Sequence, residues 1–344
     1  MVWMTWRQHR WEVALGLAVL VAFGGGVLLL TLLGWHLMGQ IAGACPSTTP
    51  NPAASIAACA DSTAEYQNGF QVGWQWVLIV GTAIPALAGV FVGAPLVARE
   101  LEKGTHLVAW SQSVPRRRWF LARVGLVAGG AAAGAALLAA IGQGWFAMQR
   151  GTGDGLGGPS LWAGFEIGPP VVIAYVLFAL ALGVAMGAAI RRTVPAMAAT
   201  LVGFVVVTVA VGGFARPHYL APLTSRQSIL GSFSSLVPSG SAPTSGPGFN
   251  LSSDWLVNLG IGNYTNAAGH PVSDATVNEL LGQCNIPNDG GATTCPAAAN
   301  GITQLLSYQP ASRFWLFQGI EAAIFLVLAG ALLALAYRLV MRLR

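Results

Sequence analysis

Six stretches of this chain, residues 13–38, 74–98, 121–147, 167–190, 194–214 and 314–338, run with almost no charge. Each exceeds the roughly 20 apolar residues that an α-helix needs to cross a hydrocarbon core about 30 Å thick. No water there satisfies backbone N–H and C=O groups, so a crossing segment closes its own hydrogen bonds as a helix. Only Arg123, Glu321 and Arg338 interrupt the runs, and the two arginines stand near run ends, where a long side chain reaches the headgroups. Composition agrees: 54% of the residues are hydrophobic and 8% charged, whereas a soluble globular chain carries about 25% charged residues. A soluble enzyme and a nucleic-acid binder are thereby excluded. The first run exceeds the roughly 7–15 residue core of a cleavable signal, and GQIAGAC after it is a poor cleavage site. The expectation is an all-α integral membrane protein of six transmembrane helices.

Lys and Arg gather on the cytoplasmic side of membranes, which sets the orientation. With the amino terminus inside, only Arg150, Arg216, Arg226 and Arg313 of the 17 Lys and Arg residues fall outside. Both termini are then cytoplasmic. Residues 1–214 hold five spans and a cytoplasmic segment at 97–120, residues 215–313 form a large extracellular loop between the fifth and sixth helices, and residues 314–344 are the sixth helix and tail. Within the loop, SLVPSGSAPTSGPG predicts irregular chain. Further on, SDATVNELLGQ and GITQLLSY read as short helices, the first capped by Ser273 or Asp274 and the second running into Pro310. The four cysteines lie in outer loops, where disulfides persist. Of three possible connectivities, Cys45 with Cys59 and Cys284 with Cys295 needs the least rearrangement; a four-thiolate metal site is the rival, without the close spacing of zinc ligands.

The most informative stretch is VARELEKGTHLVAWSQSVPRRRWFLAR, residues 97–123. Arg99-Glu100 and Glu102-Lys103 end a helix leaving the bilayer, Gly104 permits a sharp turn, and Thr105 caps a short helix through Trp110. Ser113 caps the third span, with Pro115 in its first turn. Read from composition alone, this surface helix serves equally as a docking element for a soluble partner or as a plain positive-inside anchor.

The order Arg-Glu, three residues, Gly-Thr, an apolar stretch, Val-Pro and an arginine cluster resembles the segment between the second and third spans of ATP-binding-cassette (ABC) exporter permeases of the type-2 class. MTWRQHRWE, residues 4–12, and YQPASRFWLFQGIEAAIFL, residues 308–326, are similar to the amino terminus and the sixth span of a bacterial subgroup. The resemblance leaves out the large outer loop. It implies a multi-pass permease subunit of the bacterial plasma membrane that moves a hydrophobic or amphipathic compound outward, such as a drug, an antibiotic or a lipid-like molecule. It also implies pairing with a second permease subunit, identical or different, and with a cytosolic ABC ATPase that carries ATP and Mg²⁺. The chain itself then binds no cofactor or metal and is no enzyme, in keeping with its lack of a G-x-x-x-x-G-K-[ST] loop. By the same resemblance Glu100, Glu102, Gly104, Thr105, His106 and Trp110 form the ATPase-coupling region, with Glu100 and Gly104 foremost.

Glu321 lies seven residues past Phe314, about 10 Å down a helix. An acid inside a bilayer costs about 2.5–3.5 kcal/mol on insertion scales and should face the bundle interior. Gln143, Gln75 and Gln318 are its expected partners, in a packing role or as a polar element of a translocation path. Gly130–Gly134 and Gly183–Gly187 have the GxxxG spacing of close helix contacts. Pro85 and Pro95 predict a bend in the second span. Gly153 to Gly158 fits G-x-G-x-x-G but follows no strand. The runner-up function is a membrane-anchored receptor whose outer loop binds a ligand.

Overall fold

A computed structural model describes residues 21–22, 24–30, 32–37, 39, 61, 65, 73, 75, 79, 81–104, 115–151, 161–229, 254–258, 264–284 and 295–342. The chain divides into a helical unit, Met1–Met148, Gly164–Gly213 and Gln318–Arg344, and a mixed unit, Gln149–Ala163 and Phe214–Phe317. Among the described residues five helices are long and apolar enough to cross a membrane: Gly81–Lys103, Arg117–Gly144, Leu161–Ile190, Thr193–His218 and Ala311–Met341. They fall on the second to sixth uncharged runs. The described part of the first run, 13–38, is helical.

Helix α1 (Gly81–Lys103) contains a π-helical turn at Gly89–Gly93, closed by the Ala94 N–H on the Gly89 carbonyl. Pro95 follows at once. Its ring lacks an N–H and crowds the carbonyl four residues back, at Phe91, inside that wider turn. The expected bend in this span is therefore a π-turn within a continuing helix. Helix α2 (Arg116–Gly151) begins directly after Pro115, whose carbonyl accepts from the Trp119 N–H at 3.1 Å.

Helix α3 (Pro169–Ile190) opens on two prolines, whose missing N–H groups cost nothing in a first turn. Fifteen of its residues are buried, on every face, which makes it the centre of the helical unit. Its Val184, Ala185 and Ala188 form one core cluster with Leu96, Val97, Phe120, Ala336 and Val340, while Val172, Val176 and Leu180 pack on Ala135 and Ala139 in another. The contact with α1 is closest. A Cβ on Gly89 would stand 2.5 Å from the Ala179 carbonyl oxygen, and one on Gly93 2.8 Å from that of Leu180. Reciprocally, a Cβ on Gly183 would stand 2.6 Å from the Ala94 nitrogen, and one on Gly187 2.7 Å from the Ala94 oxygen. Two GxxxG pairs thus let the backbones touch. The Gly183–Gly187 spacing is used within the chain, whereas a Cβ on Gly130 would meet nothing within 4 Å.

After α3 the chain reverses through Arg191, a non-glycine residue at φ 59°, and Arg192 into α4 (Thr193–Ala210).

The mixed unit departs from the all-α expectation with a five-stranded antiparallel sheet. Strand β1 (Leu223–Ser228) pairs along one edge of β5 (Thr303–Gln309), from Leu223 opposite Tyr308 to Ser228 opposite Thr303. The remaining pairs of β5 are with β2 (Trp255–Asn258) and β3 (Tyr264–Thr265), and β4 (Pro271–Val272) lies beyond β3. GITQLLSY is therefore a strand from Thr303 onward. Its leucines suit a helix locally, but pairing on both edges offers backbone bonds and buries Leu306 and Tyr308. SDATVNELLGQ is the expected helix, α5 (Asp274–Gly282), with the Ser273 Oγ accepting from the Thr276 N–H at 3.2 Å. Cys284 and Cys295 form a disulfide that adjoins a small core of Ile229, Val277, Ala299 and Ile302. Cys45, Cys59 and the SLVPSGSAPTSGPG stretch lie outside the described residues. Gln309, fully buried, donates to the Leu220 carbonyl and accepts from Arg313 Nη1, both at 2.8 Å. Helix α6 (Phe314–Met341) completes the chain's apolar helices.

Candidate functional site

The charged end of α1 holds three of the six residues expected to form the coupling region. Gly104 caps the helix at φ 68°, the left-handed conformation that glycine adopts without a Cβ penalty, so the sharp turn read from the sequence is present. Thr105, His106 and Trp110 lie outside the described residues.

Both carboxylates are engaged within the chain. Glu100 Oε1 accepts from Arg123 Nη1 of α2 at 2.8 Å, with the side chains 19% and 17% exposed. The Arg123 guanidinium lies 5.7 Å from the centre of the Trp119 ring, one turn earlier on α2, so the cation is held from two directions. Glu102 is exposed and its Oε2 accepts twice from Thr193, from the N–H at 3.0 Å and the hydroxyl at 2.6 Å. Thr193 opens α4, where backbone N–H groups lack intrahelical acceptors, so Glu102 caps a neighbouring helix with a carboxylate at its positive end. The charges of Arg192 and Lys103 act in the same favourable sense. Neither Arg123 nor Thr193 stood out in the sequence as a partner; the only signal was that each lies near the start of a span on the same side as α1's end.

The second polar group lies on α3 and α6. Glu321 and Gln318 are both fully buried. Glu321 accepts a short hydrogen bond from the Tyr175 hydroxyl, and Tyr175 stacks edge-on against Phe325 at 4.6 Å. The sequence offered three glutamines as partners for this acid and missed the tyrosine. Gln318 instead donates to the Phe165 carbonyl at 2.5 Å and fills space beside Gly168 that a Cβ would occupy. Gln75 is exposed, and the buried Gln143 Nε2 has no hydrogen-bond partner among the described residues.

An apolar cavity of about 240 Å³ lies between α1, α2, α3 and α6, lined by Leu96, Val127, Leu177, Val184 and Leu333 among others. No group of three or more His, Cys, Asp and Glu suited to a metal occurs among the described residues.

No curated protein and no solved structure matches this chain. The family described as ABC-2 membrane transporter related matches residues 12–216, which takes in the first five uncharged runs, the charged end of α1 and the α3–α4 hairpin. On a match across more than half of its length, with five helices apolar enough to cross a membrane, the chain is a multi-pass membrane protein of the ABC-2 membrane transporter related family.

Proposed function

We propose that this chain is the permease subunit of a bacterial ATP-driven exporter in the plasma membrane, paired with a second permease subunit and powered by a separate cytosolic ABC ATPase. The observation that carries the reading is the family match over residues 12–216. The break at Gly104, directly after a charged helix end tied to two neighbouring helices, supports residues 97–120 as the segment through which the ATPase acts. Apolar helices and an aliphatic cavity favour a hydrophobic or amphipathic cargo over an ionic one, which would need charged or hydrogen-bonding groups in its path. Outward direction and a bacterial source follow from resemblance to bacterial exporter permeases. ATP and Mg²⁺ belong to the partner, and this subunit carries out no hydrolysis of its own.

The test is capture. A photocrosslinker at His106, in membranes of the source cell, should trap a P-loop ATPase whose hydrolysis rises in the purified complex. Failure to trap any ATPase, with the chain intact and inserted, refutes the proposal and turns attention to a ligand of residues 215–313.

A further inference from the structure

Resting on the exporter-subunit reading, the geometry points to Glu100 and Glu102 as positioning residues. We propose that they act through Arg123 and Thr193 to join the end of α1 to the starts of α2 and α4, so that the three helices move as one body when residues beyond Gly104 are displaced.

The two acids stand two residues apart on a helix, and successive residues turn by about 100°, so the carboxylates leave α1 on nearly opposite sides. Among the hydrogen bonds of the described residues, Glu100 reaches Arg123 on α2 and Glu102 reaches Thr193 on α4. The Glu100–Arg123 pair is more than four-fifths buried at both ends, which weakens solvent screening and resists separation. Arg123 is further held over Trp119. Glu102 makes a different kind of tie. It is exposed, but two donors of one residue, one of them a backbone N–H at a helix terminus, give it a single direction. Directly behind α4's first residue, the chain reverses at Arg191, whose N–H bonds back to the Gly187 carbonyl at 3.0 Å. Movement of Thr193 is thus passed to the end of α3 as well.

The complex of the full chain with the ATPase that co-purifies with it, reconstituted in lipid nanodiscs, provides the test. Its readout is ATP hydrolysis in the complex relative to the ATPase alone, alongside the amount of ATPase captured. Glu100→Arg and Arg123→Glu should each still capture the ATPase and lose about fivefold or more of the stimulation. The double exchange Glu100→Arg with Arg123→Glu should recover most of it. Glu102→Ala should still insert and capture the ATPase yet lose stimulation, while Glu102→Gln, which keeps an acceptor for Thr193, should lose less. Capture lost in Glu100→Arg, absence of rescue in the double exchange, or full stimulation in Glu102→Ala overturns the inference. A native chain that captures no ATPase overturns the exporter reading itself, and the inference with it.

Discussion

Replacing Gly183 by alanine adds one carbon where two backbones already touch. The new Cβ would stand 2.6 Å from the Ala94 nitrogen and 2.8 Å from the Gly93 carbonyl carbon, and would overlap the Gly89 carbonyl oxygen. Carbon contacts settle near 3.5–4.0 Å, so α1 and α3 must part by about 1 Å along this seam. A gap of that size forfeits about a quarter to a half of each dispersion contact, and Gly89, Gly93, Ala94 and Ala98 all lie on it. Overpacking of this kind costs about 1–3 kcal/mol. Alanine's better helix propensity, worth up to about 1 kcal/mol, offsets part of that. Gly330 on α6 is the internal control, because a Cβ there meets nothing within 4 Å. Thermal unfolding of the purified protein should show Gly183→Ala melting several degrees lower, at about 2–4 °C per kcal/mol, and Gly330→Ala at or above the native value. Equal melting of Gly183→Ala and the native chain would show that the two helices do not meet where these glycines lie.

Three further outcomes are expected. Tyr175→Phe removes a donor from the buried Glu321 and should destabilise the helical unit by about 1–3 kcal/mol, whereas Tyr175→Phe combined with Glu321→Leu should recover most of the loss in the same melting assay. Arg191→Gly relieves a left-handed conformation at the α3–α4 reversal and should raise stability by about 1 kcal/mol; a lower melting point would mean that the arginine side chain contributes more than the strain it carries. Replacing both Cys284 and Cys295 by serine opens a loop of sequence separation 11, for which loop-closure entropy predicts a loss of about 3 kcal/mol in the mixed unit, readable as faster proteolysis around α5. Unchanged proteolysis would show that the core of Ile229, Val277, Ala299 and Ile302 holds that region without the bond.

Hydropathy accumulates along the chain, residue by residue, and needs no knowledge of what packs against what. That is why the second to sixth apolar helices, the break at Gly104, the Ser273 cap and the Cys284–Cys295 pairing are legible in the amino-acid order alone. Each depends on a span's own composition or on neighbours a few residues apart. The partners of the charged and polar groups do not. Glu100 meets Arg123 across 23 residues, Glu102 meets Thr193 across 91 and Glu321 meets Tyr175 across 146, and no local pattern distinguishes these partners from other donors at similar depth. The same holds for TQLLSYQ, whose leucines suit a helix until β1, β2 and β3 offer their edges. Gly183 and Gly187 announced a close contact, but only packing chose α1 as the helix that fills it, because that choice is made by the matching gaps at Gly89 and Gly93 on a segment some ninety residues away. Apolar runs select the membrane and the helix; which helix end is tied to which is decided by complementary shape and by the need of each buried or terminal polar group for a partner within bonding distance.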